Sequence, residues 1–206
     1  MAVNLNNVFY IFFSLTDYRV GFDGRLNHNA LHIFDCETLC WVDAPEIKGI
    51  PPLGRNGHSA TYANGKLFIL GGWLGTGPHA ASDLHILHIQ DGRWEEPEVV
   101  GDAPGPMNMH SADYMSSSNT ILVFRGGDGR QYLNDLHAFH VDTLLWEKVE
   151  TEGQAPTARA NHASSVAQNK LFIFGGWDGS RRLNDMHVLN TGKLNETAWR
   201  EIMWEI

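Results

Sequence analysis

Three histidine-led triplets, His58-Ser59-Ala60, His110-Ser111-Ala112 and His162-Ala163-Ser164, stand 52 residues apart. Trp41, Trp94, Trp146 and Trp199 recur at intervals of 53, 52 and 53 residues. Between these landmarks come the glycine pairs Gly71-Gly72, Gly126-Gly127 and Gly175-Gly176. Leu31-His32, Leu84-His85, Leu136-His137 and Met186-His187 follow the same rhythm. Self-similarity at such a period means stacked copies of one supersecondary unit, because a single unit cannot bury both of its faces alone.

The last copy shows the unit most fully. Pro156-x-x-Arg159-x-x-His162 opens it, and His162–Val166 reads as a short first strand. Lys170–Phe174, rich in β-formers, is a second strand that runs into Gly175-Gly176. Trp177–Ser180 is a turn cluster, Asn184–Leu189 a third strand, and the fourth strand is expected around Trp199. No stretch carries helical periodicity, so the unit is four short antiparallel strands. The 21 glycines and 7 tryptophans of the 206 residues fit many tight turns between such strands.

Arg-x-x-His-Ser-Ala, Leu-Phe-Ile-Leu/Phe-Gly-Gly, Leu-Asn-Asp-Leu-His and the closing tryptophan together resemble the kelch repeat. The resemblance covers nearly the whole chain and implies an all-β fold, a β-propeller of about four blades with four antiparallel strands each. The expected domain is 1–206, with units at approximately 1–46, 47–99, 100–151 and 152–206. Three units are complete. The first, around Tyr10–Ser14, lacks the double glycine and is expected to lack its innermost strand. Met107 stands where Arg55 and Arg159 stand, and Arg125 precedes the second glycine pair. The ring can be read as a piece of a longer propeller, as an unclosed arc covered by a partner chain, or as a small closed ring. Unpaired edges are an aggregation hazard, which favours the first two.

Antiparallel order places the loops between strands two and three on the same side as the inter-unit linkers. The linkers 42–54, 95–107 and 147–158 hold seven of the eight prolines. Loops on a rigid scaffold carry function, and tryptophan, tyrosine and arginine dominate binding hot spots. The expected partner-binding residues are therefore Tyr18, Arg19, Phe22, Trp73, Arg130, Tyr132, Trp177, Arg181 and Arg182. The competing reading of Trp73 and Trp177 is packing over neighbouring blades. Arg55 and Arg159 are expected at the channel mouth, or else bonded to adjacent backbone. Asp83, Asp135 and Asp185 are expected to fix turns.

Seven of the eleven histidines recur with the repeat, which points to scaffold rather than to a metal site. No metal or other cofactor is expected. Some kelch relatives are copper or iron enzymes or mutarotases, but the spaced Glu/Asp/His iron cluster is not found. No nucleophile elbow, phosphate loop or zinc-protease helix is present, so no enzyme is expected. A net charge of −9 weighs against nucleic acid or an anionic membrane as the main partner. The apolar run Val8–Leu15 is too short to span a bilayer. Cys36 and Cys40 cannot form a disulfide framework, which fits a reducing, cytoplasmic setting. The expected function is a protein-interaction scaffold in a larger assembly. The alternative is a small-molecule or sugar-modifying enzyme that uses Arg55 and Arg159 as anion clamps.

Overall fold

A computed structural model describes residues 2–5, 8–12, 27–77, 79–192 and 203–205. These residues form four β-sheets. The first contains β1 (Ala2–Leu5), β2 (Val8–Phe12), β3 (Leu31–Asp35) and β4 (Cys40–Val42). The second contains β5 (Ser59–Ala63), β6 (Lys66–Leu70), β7 (Leu84–His88) and β8 (Arg93–Glu95). In the third, β10 (Ser111–Met115), β11 (Thr120–Phe124), β12 (Leu136–His140) and β13 (Leu145–Val149) are joined by β9 (Val100–Gly101). In the fourth, β15 (Ala163–Ala167), β16 (Lys170–Trp177), β17 (Arg182–Asn190) and β18 (Met203–Glu205) are joined by β14 (Glu152–Gly153). The all-β propeller-type expectation therefore holds, and among the described residues the sheets form no closed ring.

The first sheet departs from expectation, because it has an inner strand. Ala2–Leu5 pairs antiparallel with Val8–Phe12, from Ala2↔Ile11 to Leu5↔Val8. Its four residues carry no His-Ser-Ala signature, yet an edge strand of this length needs only the backbone of β2 to pair with. The inner strands then adjoin in chain order, β1 to β5, β5 to β10 and β10 to β15.

The outer edges were not foreseen. The linker into each unit returns to pair in parallel with that unit's outer strand, β9 with β13 and β14 with β18. Lys48 makes the same bridge to Arg93. Glycine is required at this crossing, since a Cβ on Gly49 would lie 2.5 Å from the Trp94 carbonyl oxygen. The linkers thus cover edges that would otherwise be free to pair with another chain.

In the fourth sheet the register places Trp204, rather than Trp199, opposite Leu189. The equivalent pairs are Leu87↔Trp94 and Phe139↔Trp146. Residues 203–205 are therefore the outer strand of this sheet, and Trp199 lies outside the described residues.

The core lies between sheets. The face of the second sheet turned toward the third buries Phe68, Leu70, Leu84 and Ile86 against Ile121, Val123, Phe139 and Trp146. The face of the third turned toward the fourth buries Leu122, Phe124, Leu136 and Ala138 against Leu171, Ile173 and Leu189. Leu67, Ile69, Leu87 and Trp94 pack toward Leu31 of the first sheet. Each sheet alternates two apolar sets along the pleat, one for each neighbour.

Candidate functional site

The loops between the second and third strands of each sheet meet the linkers through backbone bridges. Asn56 pairs with Trp73, Asn108 with Gly127 and Ala160 with Trp177. These bridges also show that the glycine pairs are not equivalent. Gly127 occupies the place of Trp73 and Trp177, and Arg125 the place of Gly71 and Gly175.

The loops adjoin one another along this side. Ala80 N–H donates to the Asp128 carbonyl at 3.0 Å, and the Tyr132 ring lies against Gly179. Two of the turns are stiffened alike. Asp128 Oδ1 accepts from the N–H groups of Arg130 and Gln131 at 2.7 and 2.9 Å. Asp178 Oδ1 accepts from Ser180 and Arg181, both at 2.8 Å. These backbone bonds, led by that from Arg181, lower the Asp178 carboxyl to about 2. An aspartate that collects successive N–H groups fixes its turn.

Trp177 and Arg182 face each other across the turn and line a groove of about 570 Å³ with Asn161, Gly176 and Leu183. Arg130, Tyr132, Arg181 and Arg182 are exposed, whereas Trp73 and Trp177 are half-buried. Tyr18, Arg19 and Phe22 lie outside the described residues.

Arg55 and Arg159 do not open onto a channel mouth, because both side chains are completely buried. Arg55 forms a bidentate pair with Asp83 at 2.6 and 2.8 Å and donates to the Gly71 carbonyl at 2.8 Å. Arg159 does the same with Asp185, at 2.6 and 2.9 Å, and with Gly175. The aspartates tie the first strand to the third rather than fixing local turns. Each also meets the histidine two residues on, His85 at 2.9 Å and His187 at 3.0 Å. Burial alone would raise the Asp83 carboxyl, but Arg55 and His85 outweigh it and hold it well below the usual range. The Arg159 hydrogen bond leads the same effect on Asp185.

The third sheet reaches this arrangement by another route. Met107 is buried in the position of Arg55, and Arg125 enters from the opposite strand to meet Asp135 at 3.1 Å. His137 completes the group at 2.8 Å, and the Asp135 carboxyl falls to about 2 despite the opposing effect of burial. The sequence signal was the coincidence of two departures, a lost arginine and a gained one, in the same unit.

The first-strand histidines link sheet to sheet. His110 Nε2 lies 2.8 Å from Ser59 Oγ, and His162 Nε2 lies 2.9 Å from Ser111 Oγ. Burial lowers them to about 3 and about 4, so both are neutral at pH 7. Among the described residues no group of three His, Cys, Asp or Glu side chains could hold a metal ion. Cys36 and Cys40 are free thiols.

The chain matches the KLHDC2/KLHL20/DRC7 Kelch-repeats domain over residues 1–104 and again over 57–205. It is 34% identical to acyl-CoA-binding domain-containing protein 4 of Arabidopsis thaliana over 131 residues, which are 64% of this chain and 19% of that protein. It is 35% identical to host cell factor of Drosophila melanogaster over 144 residues, 63% of this chain and 10% of that one. Dynein regulatory complex subunit 7 of Chlamydomonas reinhardtii is 32% identical over 124 residues, 60% of this chain and 10% of that one. The chain thus spans a fifth or less of these relatives. The repeated sheets, their Arg–Asp–His ties and these matches lead to one assignment: the chain belongs to the kelch-repeat family.

Proposed function

We propose that this chain is a protein-interaction scaffold within a larger assembly, and that it binds through the side where the strand two–three loops meet the inter-sheet linkers. The observation that carries this reading is the adjoining series of loops, in which Trp177 and Arg182 border the groove and Tyr132 packs against the neighbouring turn. Half-buried aromatics beside exposed arginines on stiff turns have the composition of hot spots and limit the ordering cost of association. One relative bears the name of a subunit of a dynein regulatory complex, which fits assembly into something larger. Binding rather than catalysis is proposed. Arg55 and Arg159, the anion clamps an enzyme would have used, are sealed in ion pairs, so no observation favours the enzyme alternative. The proposed setting is cytoplasmic, and a protein partner also covers the ends of the arc. No helix among the described residues is long and apolar enough to cross a membrane. The test is affinity capture followed by mass spectrometry. Trp177→Ala with Arg181→Ala should release the captured partner while the fold is retained. If every partner stays bound, the loop side is not the binding surface.

A further inference from the structure

The linkers that cover the outer strands have edges of their own, and these edges differ. In the second sheet Lys48 lies opposite Arg93, so both residues of the bridge are cationic. In the fourth, Glu152 holds the linker position. Charge on an edge discourages pairing with another strand. The third sheet lacks this protection. Val100 stands where Lys48 and Glu152 stand, and Leu145 stands where Arg93 stands. Val100 is 57% exposed and Leu145 37% exposed, and the exposed Val99 extends the patch. The Leu145 side chain lies over Gly101, beside Val100. The second and fourth sheets flank the third, so this exposure does not come from a missing neighbour.

The backbone is open at the same place. Val100 N–H donates to the Leu144 carbonyl at 3.1 Å, and Asp102 N–H donates to the Trp146 carbonyl at 3.0 Å. Alternation along a strand turns the N–H groups of Val99 and Gly101 the other way, outward from β13. Charge then selects what can approach. Residues 95–107 carry Glu95, Glu96, Glu98 and Asp102 but no lysine or arginine. The other two linkers each hold a lysine, Lys48 and Lys148. A second copy of this chain, at a net charge of −9, is disfavoured in such a field.

We infer that β9 is a docking edge for an extended segment of a partner protein, in which apolar residues alternate with lysine or arginine. Its backbone pairs with the outward groups of Val99 and Gly101, and its apolar side chains settle on Val100 and Leu145, as in strand addition to a sheet edge. Its cations meet Glu98 and Asp102. The edge lies on the outer rim of the third sheet, and the inference does not rest on the loop-side reading.

A synthetic peptide of alternating valine and lysine tests it, by fluorescence anisotropy and amide hydrogen exchange. The expected result is saturable binding that weakens with salt, with slowed exchange at Val99 and Gly101. The valine–glutamate counterpart should not bind, nor should the valine–lysine peptide once its backbone nitrogens are methylated. Val100→Lys with Leu145→Arg installs the residue types of the second sheet and should weaken binding about tenfold or more. Both positions are exposed, so circular dichroism should be unchanged. Trp177→Ala with Arg181→Ala should leave this binding intact, so its loss can be told from loss of the loop-side partner. No binding, unchanged exchange at Val99 and Gly101 under saturating peptide, or equal binding of the methylated peptide would each overturn the inference. A two-chain particle that Val100→Lys abolishes would overturn it in favour of a second copy. The exchange measurement needs only the unaltered chain, so the outcome does not depend on how the variants fold.

Discussion

The third and fourth sheets carry the same face in opposite circumstances. Phe124 and Phe174 occupy one repeat position, yet Phe124 is fully buried and Phe174 is half exposed. Leu136 and Met186 differ in the same way. The alternation of apolar residues is alike in both, so residue type does not decide burial. The presence of a following sheet does. A repeat unit is designed for two neighbours, and the stability of such an array is a sum of units and interfaces. The fourth sheet, with no sheet beyond it among the described residues, keeps an uncovered apolar face. Faces of this kind mark interaction sites on soluble proteins.

This contrast can be broken by matched substitutions. Phe124→Ala should cost about 3–5 kcal/mol, as large-to-small changes in a packed core do. Phe174→Ala should cost less than about 1 kcal/mol in dilute protein, where its ring faces solvent. Urea unfolding of both variants at low concentration measures the difference. Equal costs would mean that Phe174 is already covered within the chain.

The Arg–Asp ties offer a second contrast, because the third sheet supplies its arginine from a different strand. Arg55→Met should cost about 3–5 kcal/mol, since Asp83 would be left part-buried without its cation. Met107→Leu should cost less than about 1.5 kcal/mol, since it conserves volume at a site that never held charge. Thermal unfolding of the two variants checks this.

The pH dependence follows from the neutral, buried histidines. Folded His110 and His162 titrate at about 3 and about 4, below the 6.5 of the free side chain. Their contribution is fully present above pH 6.5 and is lost as the pH falls toward those folded values. The unfolded chain takes up the protons first across that window, so stability should decline by up to about 1.4 kcal/mol per pH unit for each histidine. Below about pH 4 the aspartates add to the loss, because folded Asp135 stays ionised down to about 2 while its carboxyl in the unfolded chain takes up a proton from the ordinary value of 3.8. Unfolding curves between pH 7 and 4 should show the slope, and His110→Gln should flatten it.

The smallest expected effect separates Ser111 from Ala163. Ser111→Ala leaves His162 Nε2 without its partner and should cost about 1–3 kcal/mol. Ala163→Ser, on a face with no following histidine, should stay within about 0.5 kcal/mol. Paired thermal melts distinguish the two sites.

The repeat made most of the architecture legible. Inner, second and third strands follow from triplets, glycine pairs and Leu-His dipeptides, because every copy repeats one set of contacts. What escaped was set by contacts between segments far apart in the chain. Ala2–Leu5 has no signature of its own and is recruited by the edge of β2. The linker strands are two residues long and exist because Gly101 and Gly153 lie beside the outer strands. Trp199 keeps the spacing, but the strand register sets Trp204 opposite Leu189. Arg55 looked like a ligand contact because its partner, Asp83, is 28 residues away. On the loop side, aromatic and basic residue types were readable one by one. The groove that joins Trp177 to Arg182 depends on a strand pairing that only the fold supplies.

Methionine oxidation measured by mass spectrometry tests the central contrast most directly. Met115 is fully buried between the third and fourth sheets, and Met186 is exposed on the bare face. In dilute protein, Met186 should oxidise rapidly and Met115 slowly. If Met186 is as protected as Met115, the account of an uncovered face on the fourth sheet is contradicted.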